Sequence, residues 1–166
     1  GFAVFGFDID EKKVQKLKKG DSYINYISSK TVLDAISSGR LKPTSCFEEL
    51  GDAGVIIICV PTPLNENNEP DLQFIIATAK NISSFLKKGQ LVILESTTYP
   101  GCSDLILKPI LEKSGLVSGA DFYLAYSPER VDPGNPEIKG EDIPKVIGAD
   151  GEKALEIASV LYEKVF

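Results

Sequence analysis

The stretch "VFGFDID", residues 4 to 10, ends an apolar run in two carboxylates, Asp8 and Asp10, with one isoleucine between them. A strand that delivers an acid pair to its carboxyl end suits two chemistries. One is phosphoryl transfer on Mg²⁺, with Asp8 as nucleophile, Asp10 as general acid and Thr97 holding the transferred phosphate. The other is capture of the adenosine ribose hydroxyls of a dinucleotide by the acid that closes a strand, with Asp10 then serving only to cap the following helix.

The phosphoryl reading corresponds to the D-x-D motif of haloacid-dehalogenase-like phosphatases. Such enzymes place a small Thr or Val two residues after the second aspartate, where this chain has Lys12, and a later acidic pair for Mg²⁺, where only Asp150 follows "KVIGA". The ribose reading explains more. The glycine fingerprint of a dinucleotide-binding βαβ unit lies roughly 20 residues before the acid. That spacing sets it upstream of Gly1, so the sequence is expected to begin inside a domain.

Other residue types narrow the chemistry further. The 166 residues contain no histidine, which excludes Ser-His-Asp, Cys-His and H-E-x-x-H arrangements from this chain. Cys46, Cys59 and Cys102 are widely spaced and form no C-x-x-C pair, so they read as buried or incidental thiols and no metal site is expected. Lysine and arginine total 18 against 24 acids, a net charge of −6, which argues against nucleic acid or an anionic membrane as partner. The longest apolar run, "AGVIIICVP", falls far short of the ~20 residues of a spanning helix. A soluble, cytoplasmic protein is the expectation.

Apolar β-branched runs at Ala3 to Ile9, Gly54 to Val60, Leu91 to Leu94, Phe122 to Ala125 and Lys145 to Ile147 predict strands. Amphipathic stretches predict helices at Glu11 to Lys19, Lys30 to Ser38, Leu72 to Lys88, Cys102 to Ser114 and Glu152 to Lys164. The first four are followed by a glycine, and Asp71 is the expected N-cap of the third. "VIIIC" and "LVIL" are apolar on both faces, as in parallel strands covered by helices on each side. The expected fold is α/β, a doubly wound parallel sheet of Rossmann type lacking its first strand and glycine-rich loop. Strand order 3-2-1-4-5-6 then leaves the sheet interrupted in the middle. The proline-rich stretches "PTPLNENNEP" and "SPERVDPGNPEIKGEDIP" both follow strands, where open α/β sheets bind ligands.

Five motifs in register, "GDSYINYI", "VIIICVPTPLNENNEPDL", "LVILESTTYPG", "YSPERVDPGNP" and "IPKVIGA", resemble the nucleotide-sugar 6-dehydrogenase (UDP-glucose/GDP-mannose dehydrogenase) family, in particular its UDP-N-acetylglucosamine and UDP-N-acetylmannosamine branch. The resemblance covers nearly the whole chain. It implies NAD as cofactor, a UDP-sugar whose C6 alcohol is oxidised to a carboxylate in two hydride transfers, and a homodimer or higher homo-oligomer. Residues 1–166 would be a partial NAD-binding domain, inactive alone, with the sugar-binding domain and its catalytic cysteine beyond Phe166.

Carried over by motif, Asp8 would bind the cofactor's adenosine ribose, Lys13 would reach the same ribose or the pyrophosphate, and Pro61 and Thr62 would line its channel. Ser96 and Thr97 would lie on the nicotinamide side, with Thr97 holding a catalytic water. Glu129 would be the acid/base partner of that water near the sugar, and Arg130 would stand beside it as a substrate contact or a structural ion pair. Glu95 reads only as a cap for the next turn, and Cys102 as inert packing. Pro133 stands where the glucuronate-forming branch has a second glutamate, which favours an N-acetylhexosamine substrate.

Overall fold

The computed structural model describes residues 1–129 and 144–166. They divide into two units, Gly1–Glu49 and Leu50–Phe166. The strands form two sheets, one in each unit, as an interrupted sheet requires.

In the first unit, β1 (Val4–Phe7) pairs in parallel with β2 (Leu41–Thr44), with Val4 opposite Leu41 and Phe7 opposite Thr44. Between them run α1 (Glu11–Lys18) and α2 (Ser29–Ser37), which bury Val14 and Val32. Asp10 caps α1 as expected, its carboxylate accepting from the Lys12 amide at 2.9 Å. Ser28 caps α2 by accepting from the Thr31 amide at 3.1 Å. Strand β2 adds to the expected strands, and Pro43 in "LKPT" leaves it one amide donor short. At an edge strand that loss is tolerated, and among the described residues β2 pairs with β1 alone.

In the second unit the order is β3 (Val55–Ile58), β4 (Leu91–Leu94), β5 (Tyr123–Tyr126), β6 (Gly148–Ala149). The first three run parallel. The last expected strand is corrected in two ways: it forms at Gly148–Ala149 rather than Lys145 to Ile147, and it pairs antiparallel to β5. Ile147 instead packs on the core, and an antiparallel edge on a parallel sheet is common.

Strand β4 is buried along its whole length, and its side chains alternate between two faces. Leu91 and Ile93 join Ala125, Ala158 and Tyr162, so one face is sealed by α5 (Glu152–Val165). Val92 and Leu94 point the other way and are equally buried, as are Ile75, Ala79 and Ile82 of α3 (Gln73–Phe85). The expectation of cover on both faces therefore holds for β4. It fails at β3, where Ile57 is 46% exposed because α5 packs over β4 and β5.

Two helices differ from expectation for local reasons. α3 begins at Gln73 rather than Leu72, with Leu72 at the N-cap and Asp71 accepting from the Gln73 amide at 2.9 Å. It stops at Phe85 because buried Gln90 claims the next turn, accepting from the Lys87 amide and donating to the carbonyls of Leu50 and Ala53. The stretch from Cys102 to Ser114 is three pieces: a π turn Ser103–Leu107, α4 (Lys108–Leu111) and a 3-10 turn Glu112–Ser114. Pro109 has no amide to donate to the preceding turn, and the Lys108 amide reaches back five residues to the Ser103 carbonyl.

Candidate functional site

In the first unit, Asp8 follows β1 directly, and its side chain is 28% exposed. One carboxylate oxygen accepts from the Asp10 amide at 2.8 Å and the other from Lys13 Nζ at 3.2 Å. Each carboxylate oxygen has a second acceptor site. Asp8 is thus oriented from below and still able to receive two vicinal hydroxyls, which fits a nucleotide ribose. Lys13 sits one turn into α1, 5.8 Å from the centre of the Tyr23 ring, and the bond to Asp8 raises its pKa. The two aspartates have separate tasks, since Asp10 is committed to the helix cap.

In the second unit, the carboxyl ends of β3, β4 and β5 bring the other candidates to one edge of the sheet. Pro61 and Thr62 follow β3, Ser96 and Thr97 follow β4, and Glu129 follows β5. Thr97 and Glu129 are exposed, and Thr62 is half-buried. Ser96 is buried, and its hydroxyl accepts from the Val60 amide and donates to the Val60 carbonyl, both at 2.8 Å. Its side chain is therefore spent on clamping the β3 end to the β4 end, which fixes the turn at Pro61–Thr62. Arg130 and Pro133 lie outside the described residues. Cys102 is 1% exposed, and burial raises its pKa, in keeping with a packing role.

Glu95, expected only to cap a turn, is instead a junction. Tyr162 of α5 donates its hydroxyl to one carboxylate oxygen, and Lys145 Nζ lies 3.8 Å from the same oxygen. Cys59, at the end of β3, donates its thiol to the other oxygen at 3.7 Å. Lys145 also lies over the rings of Tyr162 and Phe166, 5.8 and 5.2 Å from their centres. Fully buried Ser127 faces the same phenol without completing a well-aligned hydrogen bond. Desolvation, the Glu95 carboxylate and the more distant charge of Glu129 push the Cys59 thiol up to about 11. Burial and Glu95 likewise raise the Tyr162 phenol. The available signal in sequence was a lone charge directly after four apolar strand residues.

The chain matches, over residues 1–166, the model of the UDP-glucose/GDP-mannose dehydrogenase family NAD binding domain. It belongs to that family. It is 36% identical over 166 residues to the UDP-N-acetyl-D-glucosamine 6-dehydrogenase of Pseudomonas aeruginosa, covering 98% of this chain and 38% of the relative. Among solved structures, the UDP-D-ManNAc dehydrogenase of Pyrococcus horikoshii superimposes with a TM-score of 0.88 at 36% identity, covering 98% of this chain and 39% of the other. A ternary complex of GDP-mannose dehydrogenase from Pseudomonas aeruginosa does so at 0.89 and 27% identity, covering 99% and 39%. The chain spans less than half the length of these relatives. The fold is thus the Rossmann-like, NAD-binding α/β domain of this family, and no helix among the described residues is long and apolar enough to cross a membrane.

Proposed function

We propose that this chain is the NAD-binding part of a longer enzyme that oxidises the C6 alcohol of a UDP-N-acetylhexosamine to a carboxylate. Residues 1–166 form part of the cofactor domain, and the sugar-binding domain with its cysteine nucleophile lies beyond Phe166. The overall reaction consumes one alcohol, one water and two NAD⁺ and yields one carboxylate, two NADH and three protons. The observation that carries the reading is Asp8, an oriented carboxylate at the end of a parallel strand with two acceptor sites to spare. The names of the relatives support the substrate class, since two of them act on UDP-N-acetylglucosamine or UDP-N-acetylmannosamine.

NAD, when bound, accepts hydride from the C6 carbon. The chain's own residues supply the surroundings. Asp8 and Lys13 hold the ribose end, and Pro61, Thr62 and the backbone around Ser96 line the channel. Thr97, whose hydroxyl both donates and accepts, orients the water that releases the acid. Glu129 takes up a proton from that water, and Arg130 contacts the substrate. The working protein is a homodimer or larger homo-oligomer in the cytoplasm, where the charged cofactor and nucleotide sugar are available.

The test is cofactor selection in the complete protein. An acid that receives both ribose hydroxyls repels a 2′-phosphate. Calorimetry should show NAD binding and much weaker NADP binding, and Asp8→Ala should erase the preference. Equal binding of NAD by wild type and Asp8→Ala would remove Asp8 from the site.

A further inference from the structure

We propose that Glu95 is a positioning residue for the β4 end, holding Thr97 in place for the water-dependent step. The inference rests on the reading of Thr97 given above. Glu95 gathers three elements on one carboxylate: the β3 end through Cys59, helix α5 through Tyr162, and the segment entering β6 through Lys145. Ser96, its neighbour, ties the β3 end down a second time. Thr97 is the next residue and is exposed, so its hydroxyl owes its position to these two anchors.

Stability alone is a poor account of such a junction. The Glu95 and Lys145 side chains are only 18% and 15% exposed. Desolvating an ion pair costs about as much as the pairing returns, and apolar replacements are often as stable. What the junction supplies is one defined geometry. The phenol and the ammonium share one carboxylate oxygen and the thiol takes the other, and loss of reacting geometry by even ~1 Å can cost ~10²-fold in rate.

The experiment uses the complete enzyme with Glu95→Gln, Tyr162→Phe and, as a reference, Thr97→Val. The expected result is a kcat lowered ~10-fold or more by both Glu95→Gln and Tyr162→Phe, with KM for NAD within about twofold of wild type. The double variant should be no worse than either single one. A fall in Tm with kcat unchanged in both single variants would make the junction merely structural and overturn the proposal, while Thr97→Val, if impaired, leaves the parent reading standing. Normal turnover in Thr97→Val would instead overturn that reading and this inference with it. A second measurement needs no turnover. Alkylation of Cys59 by iodoacetamide near pH ~8.5, followed by peptide mapping, should run several-fold faster in Glu95→Gln, because the carboxylate that favours the thiol form is gone. An unchanged rate would show that Glu95 does not hold Cys59 and would overturn the junction.

Discussion

At the scale of single residues, the proposed function rests on Asp8 and Glu129. Asp8→Ala in the complete protein should weaken NAD binding by about 1–3 kcal/mol, the range for stranding hydrogen-bonded polar partners, as read by calorimetry. Glu129→Gln should leave NAD binding intact yet slow turnover by ~10²- to 10⁴-fold, the usual worth of acid–base assistance. A covalent adduct on the distant cysteine should then build up, visible by intact-protein mass spectrometry. The placement of Asp8 was legible in sequence because it is local: a strand end, an acid, and a second acid that caps the next helix. Glu95 was not, because its phenol partner is 67 residues away. No spacing rule links a residue after β4 to the fourth turn of α5, and only the packed sheet brings them together.

Secondary elements were legible where one period or one cap governs them. α1, α2 and α5 stand within a residue of expectation, and the glycines after α1 and α2 have φ of 82° and 71°. These two glycines give a prediction. A Cβ at Gly20 would sit 2.8 Å from Leu33 Cδ1 and 3.1 Å from its Cβ, whereas one at Gly39 would meet nothing within 4 Å. Both alanine variants incur the left-handed strain of roughly 1–2 kcal/mol. Gly20→Ala should lower Tm more than Gly39→Ala, because Leu33 must also give way. The elements that escaped the sequence are set by single residues rather than by a period or a cap. Buried Gln90 unwinds the end of α3, Pro109 converts one helix to three pieces, and β2 survives its proline only as an edge.

At the scale of the molecule, the two units differ in the burial that supports them. The second holds a strand, β4, with every side chain buried, whereas the first buries few apolar side chains, Val14 and Val32 among them. Amide exchange should therefore be slowest in Leu91–Leu94 and markedly faster in Val4–Phe7. Protection in β1 equal to that in β4 would contradict this ranking. Stability should also depend on pH through the Lys108–Asp150 pair, 2.7 Å apart. Lys108 depresses the Asp150 pKa, so this contribution is present above the ordinary carboxylate value of about 3.9 and is lost as pH falls through and below it. Asp150 in turn raises the Lys108 pKa, so the contribution is also lost as pH rises through and beyond about 10.4. Thermal melts of Lys108→Gln should approach those of wild type at the acid end, with the gap opening toward neutral pH.

The proposed enzyme carries a UDP-N-acetylhexosamine from alcohol to acid on NAD. Its most direct test is stoichiometry. The complete protein, given excess NAD and a limiting amount of UDP-N-acetylglucosamine or UDP-N-acetylmannosamine, should form two NADH per sugar consumed, with the 6-carboxylate as the product seen by mass spectrometry. One NADH per sugar with an aldehyde product, or no NADH from either sugar, would contradict it.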